Sequence, residues 1–174
     1  MRRILLVLVG LGVIGAAGFL WITRPQLRSL AEYQMLTPDL DRGYGVFWAA
    51  GCASCHMAPG AKGDAELVLS GGQSFPSAFG TFVAPNISPD PVAGIGGWTL
   101  AQFVGAIQDG VSPEGEHLYP ALPYAAYARA TLQDMADLKA YIDTLPPSPI
   151  PSPAFGRSCA KPRRTLRRDD PTHG

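Results

Sequence analysis

Histidine and cysteine are scarce, three of each in 174 residues, and their placement excludes more than their number does. A structural zinc site needs four ligands, usually in spaced pairs. Beyond one cysteine pair with its neighbouring histidine, the chain offers only Cys159, His117 and His173, with no paired spacing. Charge is thin as well: 16% of residues carry one and the net is zero. The basic residues gather in a proline-rich C-terminal stretch rather than on a folded face, which excludes nucleic-acid binding. Methionine occurs at four positions, Met1, Met35, Met57 and Met135. No internal repeat is present.

The zero net charge hides an uneven distribution. From Thr37 to Leu145 four basic residues stand against eleven acidic ones, a balance of −7. From Pro146 onward six basic residues face only Asp169 and Asp170. An acidic globule attracts a basic docking face and speeds encounter at low salt.

What the chain does have is Cys52-Ala53-Ser54-Cys55-His56. Two cysteines three apart, with a histidine directly after the second, meet the requirement for covalent attachment of a c-type haem. The two thiols add across the porphyrin vinyl groups, and the turn swings His56 under the iron as its proximal ligand. A thioredoxin-like redox pair would want a strand before the motif and a helix after it. Here a helical stretch precedes it and Met57-Ala58-Pro59-Gly60 follows.

The N-terminus reads Met1-Arg2-Arg3, then runs from Ile4 to Ile22 without a charge. At 1.5 Å per residue this helix is about 28 Å long, close to the hydrocarbon thickness of a bilayer. Trp21 sits at interface level with Arg24-Pro25 behind it, which favours a retained anchor over a cleaved signal. Arg2 and Arg3 are answered by Arg24 and Arg28, so flanking charge leaves orientation open. Haem attachment in bacteria takes place on the outer face, which puts the remainder in the periplasm and the protein in the cytoplasmic membrane. The expected organisation is an anchor over 1–25, a juxtamembrane linker over 26–36, one domain over 37–145, and a disordered proline-rich, basic tail over 146–174.

Within the domain, Thr37-Pro38-Asp39 predicts a helix start with a hydroxyl cap, proline at the first position and an acid in the first turn. That helix runs to about Ala50, with Leu40, Tyr44 and Phe47 on one face. Gly43 and Gly45 weaken it, which predicts close approach of another backbone. From Met57 to Trp98 no period is sustained. Thr99-Leu100-Ala101-Gln102 is a capping box that opens a helix burying Phe103, Val104 and Ile107 and stopping at Gly110. A last helix starts at Thr131, with Asp134 three residues on, carries Leu138, Tyr141, Ile142 and Leu145, and ends before Pro146-Pro147. The five prolines between Pro146 and Pro153 read as an extended spacer.

Helices flanking long loops, with the haem motif at the end of the first, give a mainly α layout similar to the class I cytochrome c fold. Three blocks carry the resemblance further: Asn86-Ile87-Ser88-Pro89-Asp90, the run Gly94 to Thr99, and Gly115-Glu116-His117-Leu118-Tyr119-Pro120-Ala121-Leu122-Pro123-Tyr124. Over about residues 41–145 the chain resembles the cytochrome c subunits of bacterial membrane-bound alcohol, aldehyde and sugar-acid dehydrogenases. The resemblance implies a covalent haem c and a relay of single electrons from dehydrogenase subunits to a respiratory acceptor, with no catalytic residue of the chain's own. Multi-haem relatives begin another haem domain after such a linker. This chain stops there, so one haem is expected.

One departure stands out. The family's loop reads Tyr-Pro-Ala-Met-Pro-Tyr, and its methionine is the distal iron ligand. This chain has Leu122 at that place, and leucine has no lone pair. Met57 is on the proximal side, Met135 reads as core filler, and Met35 has no assigned place. His117 is the remaining distal candidate, although a histidine at this position in the family serves the loop or a propionate. The alternative reading is therefore a haem protein with an open distal side, a ligand sensor or weak peroxidase. Peroxidase chemistry wants a polar distal group, against which Leu122 argues. Trp98, Tyr119, Tyr124 and Asn86 are candidates to line the haem or bond its propionates. Cys159 reads as a spare thiol.

Overall fold

The computed structural model describes residues 2–78, 80–119 and 124–152, apart from the side chains of Leu30, Glu32 and Tyr124. The predictions on Leu122, Cys159 and the tail beyond Ser152, and on the side chain of Tyr124, lie outside that range.

The described chain is mainly helical, with helices α1 (Arg2–Ile22), α2 (Leu40–Ala49), α3 (Cys52–His56), α4 (Leu100–Val104), α5 (Tyr124–Tyr127) and α6 (Leu132–Ile142). One antiparallel hairpin, β1 (Ser74–Ser77) and β2 (Gly80–Val83), pairs Ser74 with Val83 and Phe75 with Phe82. Helix α1 is long and apolar enough to cross a membrane, a test that a signal sequence near the N-terminus also passes.

Helices α2 and α6 pack across each other where their backbones meet. A Cβ on Gly43 would lie 2.2 Å from the carbonyl oxygen of Asp137 and 2.8 Å from Tyr141 Cβ. The close approach predicted for this stretch is therefore present at Gly43. At Gly45 a Cβ would meet nothing within 4 Å, so only one of the two glycines serves it. The contact also sets which face of α2 is buried. Gly43 and Phe47, four apart, turn inward, and Phe47 is fully buried. Leu40 and Tyr44 are instead 51% and 53% exposed, one residue round the helix from the predicted face. Tyr44 and Phe47 still meet Tyr141, with ring centroids 5.6 and 5.3 Å apart.

The start of α2 differs from the sequence expectation. Asp39, not Thr37, is the N-cap, its carboxylate accepting the Arg42 N–H at 2.9 Å. The reason is long-range. The Asp39 N–H donates to Asp137 Oδ1 at 2.8 Å, and the Thr37 carbonyl accepts from Gln133 Nε2 at 2.9 Å. Both residues are held by α6, Asp39 in extended backbone. Asp137 also accepts from Arg42 Nε at 2.8 Å and Gln133 Nε2 at 2.7 Å. Burial pushes its carboxyl up, but these donors together outweigh that and hold it below the usual carboxylate range.

The predicted capping box of Thr99 with Gln102 forms, and the helix start expected at Thr131 proves to be a second box with Asp134. Helix α4 widens into a π turn over Gly105–Asp109 and stops at Gly110, whose φ of 64° is left-handed. Phe103 and Val104 are buried as expected, Ile107 only partly. Met135, Leu138, Ile142 and Leu145 enter the core.

Two segments outside the expected domain pack against it. In 26–36, Tyr33 is in the core cluster with Leu36 packed against it, and Arg28 Nη2 donates to Asp109 Oδ1 at 2.8 Å. The start of the tail docks as well. Ser148 N donates to Ser88 Oγ at 3.0 Å, and Asn86 Nδ2 donates to the carbonyls of Ser148 and Ile150 at 2.8 Å each. Proline has no N–H to bring to a sheet, so this stretch is held through its carbonyls and serines.

Candidate functional site

The turn that carries Cys52 and Cys55 is set by what precedes it. Helix α2 ends at Ala49 with Ala50 as its C-cap, and Gly51 takes φ 68° and ψ 27°, a left-handed conformation that favours glycine. Ser54 Oγ donates back to the Gly51 carbonyl at 2.6 Å, and Tyr127 Oη donates to the Ala50 carbonyl at 2.8 Å. Chain reversal here starts α3, one helical turn holding both cysteines and His56. The motif is thus itself helical, where the sequence reading ended the helix before it.

Cys52 and Cys55 are free thiols, half-buried and exposed respectively. Three residues apart on a helix, they share a face. Burial pushes the Cys52 thiol up to about 11, with a smaller contribution from Cys55. Cys52 is therefore neutral at physiological pH, a poor free nucleophile. Among the described residues, no group of three or more His, Cys, Asp or Glu side chains comes together to hold a metal ion.

His56 is held from behind. Its Nδ1 lies 2.8 Å from the Pro85 carbonyl oxygen. A carbonyl can only accept, so Nδ1 carries the proton and Nε2 keeps its lone pair. Burial lowers the His56 pKa, opposed in part by the bond to Pro85, and this favours the neutral ring that a metal requires. The carbonyl is placed by a lacing of two loops. Gly71 N donates to the His56 carbonyl at 2.7 Å, Gly72 N to the Ala84 carbonyl at 2.9 Å, and Ile87 N to the Leu69 carbonyl at 2.9 Å. Gly71 is required where the loops touch, because a Cβ there would lie 2.4 Å from Ala84 O and 2.5 Å from Pro85 O.

Sequence reasoning missed both Pro85 and Gly71. The one available signal was position: Pro85 directly precedes the block that begins at Asn86. Asn86 itself is not free for a ligand. Its Oδ1 accepts from Ser88 N at 2.8 Å, and its Nδ2 is shared by the two tail carbonyls. Trp98 packs against the core cluster. Tyr119 stacks on Phe82, centroids 4.8 Å apart. The hairpin that carries Phe82 follows Gln73, whose Nε2 donates to the Ser54 carbonyl at 2.9 Å.

The histidine and the methionines weighed as distal ligands have surroundings of their own. His117 Nε2 donates to the Thr23 carbonyl at 2.9 Å, at the end of α1. Met135 is 1% exposed in the core, and Met35 is 91% exposed. Met57 caps α3 directly after His56.

Two free thiols on one turn and an imidazole with Nε2 available make a donor set that fits a covalently held porphyrin iron. Comparison with known proteins agrees. The cytochrome c family model matches residues 40–146, more than half of the chain. A diheme cytochrome c-type protein of Cereibacter sphaeroides is 54% identical over 148 residues, covering 85% of this chain and 50% of the relative. A nicotinate dehydrogenase subunit of Pseudomonas putida is 38% identical over 152 residues, 82% of this chain and 12% of that protein. The fructose dehydrogenase cytochrome subunit of Gluconobacter japonicus is 41% identical over 117 residues, 67% of this chain and 23% of that protein. This chain spans half of these relatives' length or less. It belongs to the cytochrome c family, whose domain carries covalent haem c and serves in electron transfer.

Proposed function

We propose that Cys52 and Cys55 hold one haem through two thioether bonds and that His56 Nε2 is its proximal iron ligand. The protein is then a single-haem cytochrome c, anchored by α1 with its haem domain in the periplasm. It passes single electrons between a membrane-associated dehydrogenase and a respiratory acceptor, without a catalytic residue of its own. Its haem domain takes in the juxtamembrane segment from Arg28 and the first residues after Leu145.

The observation that carries this reading is the bond from His56 Nδ1–H to Pro85 O. It fixes the tautomer and ring plane, and it raises the basicity of Nε2 toward iron. Bound haem supplies the Fe(III)/Fe(II) couple. Exposed Cys55 places one side of the motif at the surface where a partner can approach. Support for a dehydrogenase partner comes from relatives that are named as subunits of nicotinate and fructose dehydrogenases.

Export of the full chain from cells with haem-attachment machinery tests the reading. The expected product has the mass of one haem added and the spectrum of a thioether-linked haem, and Cys52→Ala with Cys55→Ala abolishes both. A mass gain of zero or of two haems sinks it.

A specific observation favours a second reading, the open distal side. Leu122 stands where the family ligand stands, Met135 is committed to the core, and His117 Nε2 is engaged by Thr23. Carbon monoxide then binds the reduced protein fast and completely.

A further inference from the structure

A patch of exposed aromatic side chains lies close to the point where α1 ends. Thr23 follows the last residue of α1, and its carbonyl accepts the His117 bond. Arg28 pairs with Asp109 at a second point. The two ties hold the loop over Asp109–Tyr119 against the end of α1. Tyr119 is two residues beyond His117, at most about 7 Å along the chain. Its ring stacks on Phe82 at an interplanar angle of 29°, and Phe82 is the cross-strand partner of Phe75. Phe75 and Tyr119 are 40% and 47% exposed, and β1 is exposed along its length. No residue from Leu67 to Pro89 is charged.

We infer that strands β1 and β2, together with Tyr119, rest on the bilayer surface as a second membrane contact beside α1. The inference depends on α1 being a retained anchor. Continuity decides the occupant, since two hydrogen-bonded ties and one ring stack lead from the end of the span to the hairpin. Aromatic rings with a polar tip favour the headgroup level. An uncharged hairpin enters it without the cost of desolvating a charge. Exposed Glu114 and Glu116 flank the patch and disfavour anionic headgroups, so a zwitterionic surface is the match. Because Gln73 joins the root of the hairpin to Ser54, this contact holds the Cys52–His56 turn about one hairpin away from the lipid. That position suits exchange with a partner in or on the membrane.

The test is photolabelling of the full haem-loaded chain in phosphatidylcholine vesicles that contain a diazirine-bearing phosphatidylcholine, mapped by mass spectrometry. Label is expected on α1, on the peptide spanning Ser74–Val83 and on Tyr119. Phe75→Glu should cut hairpin labelling about tenfold, the effect of losing one buried phenyl, with α1 labelling unchanged. Tyr44 and Trp48, 53% and 43% exposed on α2, serve as controls for exposure alone. Labelling of α1 without the hairpin overturns the inference and leaves the anchor standing. Labelling of Tyr44 and Trp48 as strong as that of the hairpin overturns it too. No label on α1 removes the anchor reading and the inference with it.

Discussion

Gly43 and Asp137 meet backbone to backbone, the Gly43 Cα face lying where any Cβ would stand 2.2 Å from the Asp137 carbonyl oxygen. The carboxylate of the same aspartate accepts from three residues, two at the start of α2 and one on its own helix. One residue thus sets the spacing of the two helices through its carbonyl and their register through its carboxylate.

Gly43→Ala should force α2 and α6 apart. Overpacking of this kind costs about 1–3 kcal/mol. Urea denaturation of the haem-loaded protein should show a lower midpoint with unchanged slope, and an unshifted midpoint would mean that the helices are farther apart than described.

Asp137 predicts a pH dependence. Its folded pKa lies below the unfolded value of about 3.9. Its contribution is therefore complete above that unfolded value and is lost as pH falls through the folded one. Asp137→Asn should cost about 1.5–3 kcal/mol at pH 7, the range for hydrogen bonds to a charged group. The gap between wild type and variant should close as pH drops below about 4. A gap that stays constant down to the acid limit would contradict this assignment.

Gly71→Ala combines a left-handed φ of 70° with a Cβ 2.5 Å from Pro85 O. The Pro85 carbonyl must retreat, weakening its bond to His56 Nδ1. A less basic Nε2 stabilises ferric iron less, so the midpoint potential should rise. Potentiometry on the variant checks the direction, and a fall would remove Pro85 from the account.

Leu122→Met supplies the thioether that the family loop carries. A thioether favours ferrous iron, so the potential should rise and carbon monoxide binding should slow relative to wild type. Equal carbon monoxide kinetics in both proteins would mean that residue 122 does not face the iron.

Asn86→Ala removes the amide that serves Ser88 N, the Ser148 carbonyl and the Ile150 carbonyl. Leaving buried partners unpaired costs about 1–3 kcal/mol. Limited proteolysis should cut after Leu145 faster than in wild type, and equal rates would show that the stretch 146–152 is held by other contacts.

Much of what depends on neighbours three or four residues apart was legible in the sequence. The thiol pair with its histidine, the Thr99–Gln102 and Thr131–Asp134 boxes and the stop at Gly110 are local devices whose parts lie within one turn. The uncharged run of α1 is equally local. What tertiary structure alone decided depends on distant partners. Asp137 draws the start of α2 onto Asp39 across 98 residues, so the Thr37 cap fails. Pro85 holds His56 across 29 residues, and Asn86 takes up the tail across 62. His117 is turned to Thr23 across 94. Backbone carbonyls supply most of these contacts, and every residue has one, so no residue type announces them. Only the folding of the loops decides which carbonyl meets which donor.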